Sequence, residues 1–151
     1  MSRLKYVICD LKSGPWSSFA ARHEYMSRLE GAEALDGWRG RFRAGVIRRV
    51  LPPALRQIGL EDAATQCERE GTREAARAAV VATDAAIRVA AATADAHNDA
   101  GIAHFATYYA AYYVARGDHT SAIVCAARAT GTDAPLIAGV QALLDAIQEP
   151  S

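Results

Sequence analysis

Alanine density is the feature that most limits what this chain can fold into. Between Ala75 and Ala129, 22 of 55 residues are Ala. Ala has the highest helix propensity, because it loses no side-chain freedom on entering a helix. Methyl side chains also let helix backbones approach to the short end of the roughly 8–10 Å interaxial range. The reading is an all-α fold, a compact irregular bundle of about seven or eight short-to-medium helices. An Ala-rich pair, Thr72–Ala96 and Asp99–Arg116, is expected at its centre. The length of 151 residues fits one domain, with residues 1–35 as an N-terminal extension packing on the bundle.

Local signals divide the chain. Leu4, Val7, Ile8 and Leu11 follow helical spacing, whereas Tyr6-Val7-Ile8-Cys9 has strand-like composition. Helix is favoured there and strand stays open. Ser13-Gly14-Pro15 is a break, and Trp16 to about Ala34 reads as the next helix. Asp36 is an expected N-cap. Trp38, Phe42, Val46 and Val50 then recur every four residues. Pro52-Pro53 ends or kinks that helix, because proline lacks the N–H and crowds the preceding turn. Proline suits a first turn, so a short helix restarts to Ile58. Glu61–Glu70 is another short helix, stopped by Gly71.

Thr72 caps the segment to Ala96, which is apolar nearly all round. Its polar residues Arg77, Asp84, Arg88 and Asp95 form one narrow stripe. That pattern predicts a helix buried on most sides, with Asp84 and Arg88 pairing at i, i+4. Asn98 or Asp99 caps the next helix. Gly117 then ends it and Asp118 caps the following one. Gly131 stops that helix and Thr132 caps the last, whose core stripe is Leu136, Val140, Leu143 and Ile147.

Composition excludes several classes. No apolar run approaches the roughly 20 residues of a membrane span. Met1–Leu11 carries Arg3, Lys5 and Asp10 and does not read as a secretory leader. Cys9, Cys67 and Cys125 are far apart and in no C-x-x-C pair, so the expectation is free, buried or half-buried thiols in a reducing cytoplasm. No P-loop, dinucleotide fingerprint or G-x-S-x-G is present.

Seventeen basic and 17 acidic side chains cancel overall, but the basic excess lies before Gly59 and the acidic excess after it. Arg39, Arg41, Arg43, Arg48, Arg49 and Arg56 cluster most densely. Three readings compete: an Arg face solvated or docked on the chain's own acidic half, an acidic protein partner, or nucleic acid. The last is disfavoured by the near-neutral pI and the absence of a nucleic-acid motif. The halves could also attract across a homodimer. Arg39, Arg41, Arg43 and Arg48 are the candidate partner-binding residues.

The second concentration of chemistry is the helix from Asp99 to Arg116. His97, His104 and Tyr108 share one face, and Ile102, Phe105, Tyr109, Tyr113 and Arg116 share another. Tyr buries a large ring and keeps a polar tip, which suits interfaces and ligand pockets. His97, His104, Tyr108, Tyr112 and Arg116 are the candidate pocket, with Arg116 as an anion anchor. The plainer alternative is that these rings fill space left by Ala-rich neighbours. His97 and His104 lie seven residues apart, about 10 Å of helical rise, too far to share a metal. No metal or cofactor is expected.

Tyr113-Val114-Ala115-Arg116-Gly117-Asp118-His119-Thr120-Ser121-Ala122, with Ala129, resembles the turn of a tetratricopeptide hairpin. One repeat length earlier Thr83-Asp84 replaces Gly-Asp, so the resemblance implies one αα-hairpin and no array. Arg49-Val50-Leu51-Pro52, with the Ala- and Arg-rich helices from Glu74 to Ala129 and their interspersed His and Tyr, is similar to Ala-rich all-helical immunity proteins of bacterial polymorphic toxin systems. Ser2–Leu35 has no counterpart there, and no functional residue carries across. The resemblance implies a non-catalytic, cytoplasmic protein that binds and neutralises a cognate toxin. The alternative is a small-molecule-binding helical protein or enzyme with its pocket on the His104/Tyr108/Tyr112 face.

Overall fold

Small residues set how this chain packs, and two glycines show how. A Cβ added to Gly139 would lie 2.6 Å from Ile123 Cδ1, and one added to Gly45 would lie 2.9 Å from Ala142 Cβ. Real Cβ atoms do not approach so closely, so only glycine lets these helix surfaces meet.

The computed structural model describes residues 2–92 and 99–148. Among them the regular structure is helical throughout: α1 (Arg3–Lys12), α2 (Phe19–Ser27), α3 (Trp38–Arg49), α4 (Leu51–Gln57), α5 (Glu61–Glu70), α6 (Arg73–Ala91), α7 (Asp99–Ala115), α8 (His119–Thr130) and α9 (Ala134–Gln148). Val50 joins α3 to α4 in helical geometry, φ −94° and ψ −45°. The prolines occupy the first turn of α4, where a missing N–H costs little. The all-α bundle expected from composition is what the chain forms.

Several local signals act where the sequence placed them. Thr72 and Asp118 each accept a hydrogen bond at an N-terminus, from the amides of Ala75 and Ser121. Ser2, not singled out in the sequence, caps α1 in the same way by accepting from Lys5 N. Asp84 pairs with Arg88 at 3.2 Å. The open question at the N-terminus resolves to helix.

The core departs from expectation. It is built from α3, α4, α8, α9 and the second half of α7, through Phe42, Ile47, Leu51, Leu55, Val114, Ile123, Leu136 and Leu143. α1 joins it with Leu4 and Leu11. Helix α6, expected to be buried on most sides, buries Ala75, Ala76, Ala79 and Thr83 and has no buried residue beyond Thr83. Its Val81 and Val89 are each 71% exposed. The physical reason is that a methyl group has little to gain from burial, about 0.8 kcal/mol per carbon. An all-round Ala helix therefore carries weak instructions about which side faces inward.

Three boundaries also differ. The helix expected from Trp16 to Ala34 runs only from Phe19 to Ser27, because Ser18 caps it by accepting from Ala21 N at 3.1 Å. Residues 16–18 are committed elsewhere. Trp16 Nε1 donates to Leu11 O at 2.8 Å, and the Asp133 carboxylate accepts from Ser17 N, Ser17 Oγ and Ser18 N. Those bonds hold the Asp133 carboxyl below its usual pKa, the Ser17 amide acting most strongly. Asp36 does not cap α3; Gly37 takes that position at φ 80° without a side-chain bond. Thr132 does not cap α9, which begins at Ala134.

Candidate functional site

The arginines of α3 alternate with its core residues, so each guanidinium leaves the helix at a different angle. Arg41 is turned inward. Its Nε donates to Ala146 O and its Nη1 to Asp36 O, both at 2.9 Å, which ties the end of α9 to the segment before α3. Arg48 lies across Gly71 and donates to Glu70 O at 3.3 Å. Arg49 pairs with Asp145 at 2.6 Å. Arg56 bonds both Glu68 and Glu61, which raise its pKa further above the usual guanidinium value. Four of the six arginines are thus engaged by the chain's own later segments. Arg39 is exposed and Arg43 half-buried, and neither forms an ion pair among the described residues. Of the four candidate partner-binding residues, Arg39 and Arg43 keep guanidinium groups for other contacts, whereas Arg41 and Arg48 brace the bundle.

Helix α7 buries Ala103, Thr107, Ala110, Ala111 and Val114. This small-residue face packs inward and pushes the large residues outward. Tyr108 stacks on Tyr112 with ring centres 6.1 Å apart, and Tyr109 meets Tyr108 and Tyr112 edge-on. Tyr113 completes the ladder at 5.7 Å from Tyr112. Arg116 lies over the Tyr112 ring and bonds its hydroxyl. The structure therefore joins Tyr108, Tyr112 and Arg116 in one aromatic array. His104 is half-buried one turn before Tyr108. His97 lies outside the described residues. The second face noted in the sequence, with Ile102, Phe105 and Tyr109, is the most exposed: Phe105 is 53% accessible.

A further cleft, of about 360 Å3, opens where α1, α3 and the start of α8 meet. Arg3, Tyr6, Trp38, Arg39 and the Asp118–Thr120 turn border it. His119 there is only 8% exposed. Its ring meets Phe42 edge-on at 5.3 Å, and its Nε2 has no hydrogen-bond partner. Burial first, then the charges of Arg43 and Arg39, lower its pKa to about 4; Asp118 opposes them, and Arg73 adds a lesser lowering. The imidazole is neutral at pH 7. Sequence spacing offered no route to this cleft, because its walls come from three widely separated segments. The local trace was the cap signal at Asp118.

The thiols are free. Cys67 is buried, and burial pushes its pKa up to about 12; Cys125 is half-buried and also raised by burial. Cys9 is exposed, contrary to expectation, because it sits on the outer face of the short α1. Among the described residues no three His, Cys, Asp or Glu side chains converge as metal ligands, and no helix is long and apolar enough to cross a membrane.

No protein-family model matches this chain, and neither does a curated protein or a solved structure.

Proposed function

We propose that this chain is a non-catalytic binding protein that docks a protein partner on the outer face of the α6–α7 pair. One observation carries the reading. Among the described residues, five of the eight large apolar side chains that stand exposed belong to these two helices: Val81, Val89, Ile102, Phe105 and Tyr109. Leaving such groups in water forfeits burial energy, and contiguous exposed apolar surface marks interaction sites. The chemistry fits a protein occupant. Tyr, Phe and Arg are enriched at protein interfaces and dominate their energetics. Arg116 is already stacked on Tyr112, so it is pre-oriented as a rim contact. Asp84 and Arg88 neutralise each other, leaving little net charge to recruit nucleic acid here.

The resemblance to Ala-rich immunity proteins supports the narrower form of this reading, in which the partner is a bacterial toxin encoded beside this chain and neutralised in the cytoplasm. Free thiols at all three cysteines fit a reducing compartment. Arg39 and Arg43 would speed association with an acidic partner rather than supply most of the affinity.

The test is calorimetry with the purified product of the adjacent open reading frame. The wild type is expected to bind it. Phe105→Asp with Tyr109→Asp should weaken binding by roughly a hundredfold, as loss of two interface anchors implies, with helical circular dichroism unchanged. Binding unaffected by the double variant would contradict the docking face. No binding by the wild type, or a homodimer that the same variant dissociates, would contradict the partner.

A further inference from the structure

We propose that the cleft between α1, α3 and the first turn of α8 binds a small aromatic oxyanion, a phosphate or carboxylate carried on a flat ring. Arg3, Arg39 and the leading amides of α8 would hold the anion, and Tyr6 and Trp38 would flank the ring. This site is separate from the α6–α7 docking face and does not depend on it.

Several observations converge on one volume. The exposed Arg3 and Arg39 both border the cleft and form no ion pair among the described residues. Arg43 and Arg73 add positive charge close enough to act on His119. Helix α8 is 12 residues long and starts at the cleft wall. Its first amides have no acceptor within the helix and carry the positive end of its dipole. The acid at this end, Asp118, borders the cleft but is engaged as the helix cap. Asp118 accepts from Ser121 N at 3.1 Å and from Ser121 Oγ at 2.7 Å. Thr120 Oγ1 lies 3.1 Å from Asp10 Oδ2 and 3.4 Å from Asp118 Oδ1.

His119 is the independent sign of a missing ligand. It is more than nine-tenths buried, forms part of the cleft wall, and leaves Nε2 without a partner. Buried polar atoms in folded proteins are nearly always paired. The ring is surrounded by Arg39 and Arg43 from α3, Arg73 from α6 and Asp118 beside it, and packs on Phe42. An oxyanion among these arginines would offset the positive field that opposes its protonation. The flat-ring preference follows from Trp38, which stacks on Phe42 at 6.3 Å and is only partly buried, and from Tyr6, which is exposed at the rim. Aromatic and cationic groups placed together favour a ring bearing a negative charge.

Proton NMR of the full chain at His119 reads the result, with phenyl phosphate, benzoate, inorganic phosphate and phenol as separate probes. Saturable shifts with phenyl phosphate or benzoate, and an upward move of the His119 titration midpoint when either is bound, are expected. Which of the two binds more tightly identifies the anion. Inorganic phosphate should bind more weakly and phenol should leave the resonance in place. Arg39→Ala and Arg3→Ala, both at exposed positions, should each weaken binding about tenfold, the effect of losing one charged hydrogen bond, and Arg39→Lys should recover part of it. If no aromatic anion shifts His119, or if Arg39→Ala binds as the wild type does, the proposal is overturned. Phenol binding equally well would also overturn it.

Discussion

Phe42→Ala is expected to remove about 4 kcal/mol of folding stability, read by urea denaturation at pH 7. Phe42 is the largest wholly buried side chain, with no accessible surface. Its ring contacts Trp38 and His119 and belongs to the cluster that includes α4, α8 and α9 residues. Truncation therefore removes transfer energy and leaves a cavity among rigid helices that cannot collapse freely. Total stabilities run at roughly 5–15 kcal/mol, so the variant would lose a large fraction of its margin, and Tm should fall by roughly 10 °C. Phe19→Ala is the control. Phe19 is 76% exposed, with Arg22 resting over its ring, and its loss should stay within about 0.5 kcal/mol. Equal effects at the two positions would refute the placement of the core.

Acidification is expected to destabilise the protein through His119 before the carboxylates contribute. The folded pKa is about 4 and the ordinary value 6.5. Below pH 6.5 the unfolded chain takes up a proton that the folded chain refuses. Stability therefore falls with pH, by about 1.4 kcal/mol per unit, until the folded imidazole titrates too. The loss across that window is about 3 kcal/mol. Asp133 acts in a lower window, because its pKa is depressed below an already acidic value; its contribution disappears only as pH falls through that value. His119→Phe should flatten the pH dependence of urea-derived stability between 6.5 and 4 and leave the lower limb. An unchanged slope in the variant would show that His119 is not the titrating group. An aromatic anion in the α1–α3–α8 cleft would raise the folded-state pKa toward 6.5 and so shrink the loss in this window, which links this experiment to the binding one.

What could be read from the chain and what could not divide along a physical line. Caps and stops are local, so Thr72, Gly71, Asp118 and Gly131 could be placed from their neighbours alone. Strong amphipathic stripes of large side chains were equally legible: Phe42, Val46 and Val50 in one helix and Leu136, Val140 and Leu143 in another are all buried. The Ala-rich segment was legible as helix but not as to its facing, since its methyl groups discriminate poorly between water and core. Long-range polar contacts left no trace. The Asp133 carboxylate holds residues more than a hundred positions away, and those bonds act together with the Ser18 cap to decide where α2 begins. The binding elements followed the same rule. The Tyr array lies within one helix and could be found by counting. The His119 cleft is assembled from three segments and becomes visible only once the helices are packed.

The central claim is that the core belongs to α3, α4, α8 and α9, while the far ends of α6 and α7 stand clear and leave Val89, Ile102 and Phe105 exposed. Native-state hydrogen exchange tests this most directly, since locally opening segments exchange faster than those released only by global unfolding. Amides in α8 and α9 should be the slowest in the molecule, and those of residues 84–91 should exchange well ahead of them. Equal protection of that part of α6 and of α8 would contradict the account, because it would place the Ala-rich helix inside the core after all.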